Sequence, residues 1–165
     1  MSGVALGGKR ATREEIDNIL KKLSKLGFED LCEKYEVCGS YRRGKSDSGD
    51  IDIVLIPKDK NSFDEWFESL DVPKRKGLLA DNILIDEVQI DFFIADENTY
   101  PTMVMMWTGS RGFNIMMRGK SRKAGYVYTR NGMYDINSKE IVSEIKTESD
   151  IFNLIGLNYI SPERR

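Results

Sequence analysis

Gly39-Ser40-Tyr41-Arg42-Arg43-Gly44-Lys45-Ser46-Asp47-Ser48-Gly49-Asp50-Ile51-Asp52-Ile53-Val54-Leu55-Ile56 is the stretch that decides how this chain is read. Its second half is an apolar strand opened by Asp-x-Asp. Side chains alternate faces along a strand, so Asp50 and Asp52 point the same way. Two converging carboxylates suit a divalent cation, because hard oxygen ligands suit Mg²⁺. Upstream, Gly39-Ser40 and the basic turn after it offer backbone N–H groups and a hydroxyl to phosphate oxygens. A metal beside a triphosphate is the equipment of nucleotidyl transfer. Asp-x-Asp alone carries little weight, since aspartates at strand ends are more often solvated than metal-bound. Gln89-Ile90-Asp91-Phe92-Phe93 adds weight by placing a third aspartate on a second apolar strand. If the two strands are neighbours, three carboxylates meet and a two-metal site becomes feasible. Such carboxylates repel and raise each other's pKa, so a bound cation would also stabilise the arrangement.

The chain has 165 residues and a formal net charge of −2. That length allows one modest domain or two small lobes with a usable core. Histidine is absent, so acid–base chemistry falls to carboxylates, lysines, tyrosines or metal-bound water. Cys32 and Cys38 show neither metal-ligand spacing nor a disulfide framework and read as core thiols of a reduced, intracellular protein. Cytoplasm, nucleus and virion are not distinguished. No stretch is long and apolar enough to span a membrane, and residues 1–11 read as a disordered leader without signal-peptide character. The small net charge hides an uneven distribution. Residues 47–100 carry 14 acidic against 5 basic residues, and residues 101–165 carry 10 basic against 6 acidic. An acidic middle fits metal binding, and a basic C-terminal part fits a phosphate backbone.

Periodicity supplies the elements. Thr12-Arg13-Glu14-Glu15 reads as a capping box, followed by a helix through Ile16, Ile19, Leu20, Leu23 and Leu26 that stops at Gly27. A short helix is expected over 29–34, strands over 36–38 and 50–57, and a helix over 61–70. Strands over 77–85 and 88–95 joined at Asp86-Glu87 form an expected hairpin. Pro101 opens a helix to about Trp107, and a second runs from about Ser110 to Ala124. Asn131-Gly132 marks a hairpin between 126–129 and 133–136, and Thr147 caps a last helix over 148–155. The fold class is α+β: a mixed sheet with helices over 12–99, then a smaller α+β lobe over 100–165.

These motifs resemble the family X DNA polymerases, the polymerase β-like branch of the nucleotidyltransferases. The stretch from Gly39 to Ile53 is similar to that family's palm signature. Thr108-Gly109-Ser110-Arg111-Gly112-Phe113-Asn114-Ile115-Met116-Met117-Arg118 resembles its Thr-Gly-Ser-x-x-Phe-Asn-x-x-Met-Arg helix, and the stretch from Asp150 to Arg165 resembles its end motif. The resemblance spans about residues 12–165 and is similar to the minimal palm-plus-fingers form of small viral members. No lyase-like domain or helix-hairpin-helix pattern is expected.

The resemblance implies roles. Asp50, Asp52 and Asp91 would hold two Mg²⁺ ions, with Mn²⁺ expected to substitute, and Asp91 would help deprotonate the primer 3′-hydroxyl. Gly39, Ser40, Arg43 and the backbone of Gly49 would bind the triphosphate. Asn114 would touch the incoming base, Gly109 would border the nucleotide, and Arg118 would reach the nascent pair or template. Met106-Trp107 stands where many members carry Tyr-Phe; tryptophan there is similar to the end-joining and terminal-transferase branch and bears on ribose discrimination. Gln89 replaces the arginine usual two residues before the third aspartate, and Arg111 also departs from the family pattern.

Between Arg111 and Arg130 there is no acidic residue, and Arg118, Lys120, Arg122 and Lys123 are the expected DNA contacts. Phe113, Met116 and Met117 read as core. Tyr126 and Tyr128 alternate, so one of them faces outward. The expected activity is repair-type DNA polymerisation on a primer 3′-end at short gaps, using dNTPs, by a monomer with no membrane association. A ligase partner is left undetermined. A template-independent or small-substrate nucleotidyltransferase is the near alternative, and a catalytically silent DNA-end-binding module the distant one. Charge reversal at Lys120 and Lys123 is expected to weaken DNA binding across sequences. It should flatten the salt dependence by about one unit per lost phosphate contact, measurable as log Kd against log salt.

Overall fold

A computed structural model describes residues 6–165. The elements are β1 (Ala11–Thr12), α1 (Arg13–Lys25), α2 (Phe28–Leu31), β2 (Cys32–Val37), α3 (Gly39–Arg42), β3 (Asp47–Ser48), β4 (Ile51–Pro57), α4 (Lys60–Ser69), β5 (Lys74–Arg75), β6 (Asp81–Ile85) and β7 (Val88–Ile94). Then come α5 (Tyr100–Thr108), α6 (Arg111–Lys123), β8 (Tyr126–Thr129), β9 (Gly132–Asp135), α7 (Glu148–Leu154) and a 3₁₀ turn at Pro162–Arg164. The mixed α/β sheet with flanking helices expected from the sequence is present.

Its strand order is β2-β4-β7-β6-β5. The β4–β7 pair is parallel, with Asp52 opposite Asp91; its neighbours are antiparallel. Ile51, Ile53, Leu55, Ile90 and Phe92 face α1 and α4, where Ile16, Ile19, Leu23, Phe63 and Phe67 complete one core. Val54, Ile56 and Phe93 face the other way, against Met103 and Val104 of α5. Both faces of β4 and β7 are therefore buried, which is why each reads as a nearly continuous apolar run. A third cluster holds the C-terminal lobe together: Met105, Phe113, Met117, Tyr128, Met133, Ile151 and Phe152.

Local signals explain the boundaries. Thr12 caps α1 by accepting from the Glu15 N–H at 3.2 Å, but Glu15 meets the Thr12 hydroxyl instead of its backbone, so the box closes on one side only. Ser110 caps α6 by accepting from the Phe113 N–H, and Thr147 caps α7 with a complete box, its own N–H donating to Asp150 Oδ2 at 2.9 Å. Asp86 and Glu87 both have positive φ (51° and 65°) and turn the β6–β7 hairpin in two residues.

Four expectations are corrected. The helix over 29–34 shrinks to Phe28–Leu31, because Cys32 and the residues after it are drawn into the sheet beside β4. The strand expected from Gly77 begins at Asp81. The turn after Cys38 forms the short helix α3. The fourth is the leader, of which residues 1–5 lie outside the described residues. From residue 6 on it is docked: Leu6 N–H donates to Gln89 Oε1 at 2.6 Å, Lys9 N–H to Glu87 O at 2.8 Å, and Ala11 is buried opposite Ser48. The docking is done by backbone, so it left no apolar pattern to read. A Cβ on Gly8 would lie 2.7 Å from the Gln89 nitrogen, and only glycine permits that approach.

The sheet and the lobe are joined by a charged relay. Arg42 of α3 donates to Glu148 of α7 at 2.5 Å and to the Thr108 hydroxyl at 2.9 Å. Arg165 reaches the other Glu148 oxygen at 2.5 Å. The Arg165 side chain is sealed, its guanidinium 5.3–5.7 Å from the rings of Phe113, Phe152 and Tyr159. Burial works to raise the Glu148 pKa, but the Arg42 bond and the Arg165 charge outweigh it, and the net direction is down. A carboxylate held below its unfolded pKa contributes stability above the ordinary glutamate range, and that contribution is lost as pH falls through the lowered value. Glu148→Gln should therefore cost about 3 kcal/mol near neutrality, because two buried arginines lose their counter-charge. It should also flatten the acid limb of stability, as urea melts at pH 3–7 would show.

Candidate active site

Asp52 and Asp91 sit side by side because β4 and β7 run parallel in that register. Asp50 lies one alternation earlier, just before β4. One carboxylate oxygen from each of the three falls within 4.8 Å of the others. Asp91 is fully buried; its Oδ1 accepts from Asn82 Nδ2 and, at 2.7 Å, from Gln89 Nε2. Asp52 Oδ1 and Asp91 Oδ2 are sealed from solvent and receive no hydrogen bond. Buried acceptors without donors are costly, and here they belong to carboxylates drawn together. Burial, then the charges of Asp50 and Asp91, push the Asp52 pKa well up. Three hard oxygen donors with two unmet acceptors fit a divalent cation such as Mg²⁺.

Beside this cluster α3 supplies a tight turn. Gly39 has φ +62°, and a Cβ there would lie 2.8 Å from Asp52 Oδ2, so no other residue fits without moving the carboxylate. The Cys38 N–H donates to the Asp52 carbonyl at 2.7 Å and pins this turn to β4. The Ser40 hydroxyl donates to Ser48 Oγ at 2.6 Å. Arg43 Nη1 donates to the Thr108 carbonyl at 2.6 Å, and Gly109 leaves the room this needs: its Cβ would come 3.0 Å from that nitrogen.

A cleft of about 980 Å³ opens over the cluster. Of the residues predicted for the site, Gly39, Ser40, Arg43, Asp50, Asp52, Met106, Trp107, Gly109, Asn114 and Arg118 line it. Asp91 lies beneath its floor. Gly49 is not in the lining; it is exposed beside Arg10. Lys120, Arg122 and Lys123 lie on the exposed face of the last turns of α6, outside the cleft. Asn114 Nδ2 donates to the Met106 carbonyl at 2.8 Å, and Trp107 stacks on Phe93 with ring centroids 3.9 Å apart. Phe113 and Met117 are buried as expected. Of the alternating tyrosines, Tyr128 turns inward and donates to Asn114 Oδ1 at 3.4 Å.

Three features were missed by reading the sequence. Asn82 touches the carboxylate cluster but carries no signal, being one polar residue in a strand. Arg10 sits in the supposed leader, paired with Asp47 at 2.9 Å and close enough to Asp50 to feel its charge. Leu79, just before β6, also lines the cleft, beside Arg130 from the basic stretch of the sequence. The cysteines are free and buried, and burial raises both thiol pKa values, Cys32 to about 12. Among the described residues no helix is long and apolar enough to cross a membrane.

A parallel strand pair that gathers three carboxylates, two of them lining a cleft beside a Gly-Ser turn and the third beneath it, is the arrangement of a nucleotidyltransferase-type site. The family model for the DNA polymerase beta palm matches residues 10–115, and that for the DNA polymerase beta thumb matches residues 103–165. The chain is 26% identical over 159 residues to DNA polymerase lambda of Rattus norvegicus, covering 78% of this chain and 28% of the relative. It is 26% identical over 140 residues to DNA polymerase/3'-5' exonuclease PolX of Bacillus subtilis, covering 80% and 24%. Against DNA-directed DNA/RNA polymerase mu of Homo sapiens it is 34% identical over 79 residues, covering 47% and 16%. The chain belongs to the family X, polymerase β-like nucleotidyltransferases. It spans between about a sixth and about a third of the length of the curated relatives it matches.

The raised Asp52 pKa has a stability consequence. A carboxylate whose pKa is higher folded than unfolded binds more protons when folded, so stability falls as pH rises between the two values. Asp52→Asn should therefore melt several degrees higher than the parent in chelator at neutral pH. Added Mg²⁺ should raise the parent's melting temperature more than the variant's. Thermal melts with and without Mg²⁺ give both numbers.

Proposed function

We propose that this chain is a DNA-directed DNA polymerase of repair type, adding dNTPs to a primer 3′-end at short gaps. The observation that carries the reading is the pair of sealed, donor-free carboxylate oxygens, Asp52 Oδ1 and Asp91 Oδ2, under a cleft that also holds Ser40 and Arg43. Asp50, Asp52 and Asp91 would hold two Mg²⁺ ions, or Mn²⁺ in their place, which when bound neutralise phosphate charge and acidify the primer 3′-hydroxyl.

The chain's own residues do the rest by positioning, which is most of what phosphoryl transfer asks of a protein. The N–H groups of the α3 turn meet triphosphate oxygens, and the Ser40 hydroxyl joins them by exchanging its bond to Ser48 for one to phosphate. Arg43, braced on the Thr108 carbonyl, offers its remaining N–H groups to the same oxygens. Gly49 keeps its backbone open beside Asp50. Asp91 Oδ2 accepts the proton leaving the primer hydroxyl. Asn114 braces the Met106 carbonyl and thereby shapes the wall against the sugar. Arg118, exposed on α6 at the cleft rim, reaches toward the nascent pair. Lys120, Arg122 and Lys123 extend a cationic face away from the cleft for the DNA backbone. The 12–99 and 100–165 division is the palm and nucleotide-binding lobe of this reading.

Asp91→Ala should lower single-nucleotide addition by orders of magnitude, since it removes both a ligand and the proton acceptor. Primer extension on a one-nucleotide gap with Mg²⁺ is the test. Near-parental extension by the variant would sink the role of Asp91, and equal extension without template would move the reading to a template-independent transferase.

The sugar pocket gives a second test. Met106 is flexible where a rigid ring would crowd a 2′-hydroxyl. The human relative's name, DNA-directed DNA/RNA polymerase mu, points the same way. Appreciable ribonucleotide incorporation is expected, with kcat/KM for dNTP over rNTP below about 10⁴, or roughly 5 kcal/mol of discrimination.

A further inference from the structure

Asp91 has two carboxylate oxygens with opposite surroundings. A carboxylate oxygen offers two lone-pair positions. On Oδ1 both are met, by the amide groups of Asn82 and Gln89. On Oδ2 neither is met, and this oxygen is sealed from solvent on a residue of the carboxylate cluster. Asn82 reaches Asp91 because it stands directly opposite on β6, and Gln89 because it lies two residues earlier on the same face of β7. A half-turn of the carboxyl group would merely exchange the oxygens, but any smaller swing would break both amide bonds at once.

Gln89 is itself fixed. Its Oε1 accepts from the Leu6 N–H at 2.6 Å, which forces the amide NH₂ end toward Asp91. A reversed amide would set donor against donor at Leu6 and acceptor against acceptor at Asp91. The segment that carries Leu6 is held by the Lys9–Glu87 backbone bond and by the close approach that glycine at position 8 allows. Both groups on Asp91 are neutral. They orient the carboxylate without placing a positive charge beside it.

We propose that Asn82 and the backbone segment Leu6–Lys9, acting through Gln89, are positioning elements that hold Asp91 with Oδ2 toward the reacting centre. The proposal rests on the reading of Asp91 given above. The N-terminal segment is thereby a working part of the site, although it lies outside the cleft.

Two substitutions test it, Asn82→Leu and Gly8→Val. The first removes one amide from Oδ1; the second drives the N-terminal segment off the Gln89 backbone without touching the cluster. Mn²⁺ binding to the DNA-free protein, followed by electron paramagnetic resonance, should weaken about tenfold in Asn82→Leu, the usual scale for losing a group that orients a metal ligand. In ¹⁵N-labelled protein, the side-chain amide protons of Asn82 and Gln89 should exchange slowly, and Gly8→Val should speed exchange at Gln89 while sparing Asn82. In single-nucleotide addition both variants should lose kcat, by about tenfold or more, with KM for the dNTP unchanged.

Unchanged Mn²⁺ affinity and kcat in Asn82→Leu would overturn the proposal, as would slow Gln89 exchange or parental kcat in Gly8→Val. If Asn82→Leu fails to fold, Gly8→Val decides alone. A parent protein that extends no primer, yet shows the expected Mn²⁺ and exchange changes, would overturn the polymerase reading and leave the positioning of Asp91 supported.

Discussion

The parallel pairing of β4 with β7 is the constraint on which the rest of the molecule depends. It sets Asp52 against Asp91 and Val54 against Phe93 in one register. A slip of one residue would turn every side chain of one strand to the opposite face, carrying an aspartate into the core beneath α1 and α4. Because both faces of these strands are buried, the apolar residues on either side enforce that register. The face toward α5 is divided along its length. Val54, Ile56, Phe93 and Ala95 lie under α5. Asp52, Asp91, Asn82 and Gln89 continue the same face beyond the helix, and the cleft opens there.

A site built this way is unstable in its own right and is held by its surroundings. Like charges are brought together where water is scarce, and two of their oxygens go unsatisfied. The apolar sheet, the Cys38–Asp52 backbone bond and the amides on Asp91 supply the compensation. Strain of this kind is what an oxygen-ligated cation relieves, so the same residues that weaken the fold when bare prepare it for metal.

Much of this was legible in the residues. The Asp-x-Asp strand, the third aspartate, the Gly-Ser turn, the capping residues Thr12 and Thr147 and the Asp86-Glu87 turn each declare themselves through a local pattern. What stayed hidden depends on contacts between distant residues. Asn82 is an ordinary polar residue until β6 lies against β7. Arg42, Glu148 and Arg165 are three scattered charges until α3 and α7 meet. Leu6 and Lys9 bind by main-chain groups, which every sequence possesses, so the segment read as a leader although glycine at 8 permits close contact. The buried Phe113 and Met117 were legible because apolar spacing on a helix translates directly into burial, and the cysteines because nothing in their spacing offered them a metal or a disulfide partner.

Helix α5 belongs to two cores. Its Met103 and Val104 complete the cluster on the sheet, while Met105, one step further around the helix, is fully buried in the C-terminal cluster. The two family models overlap across the same region, residues 103–115. Neither lobe has a complete apolar interior without this helix, and the Arg42–Glu148–Arg165 relay fastens the other side. The lobes therefore share their cooperativity. Loosening one exposes apolar surface in the other, so the described chain is expected to lose its structure in a single step, as small domains do.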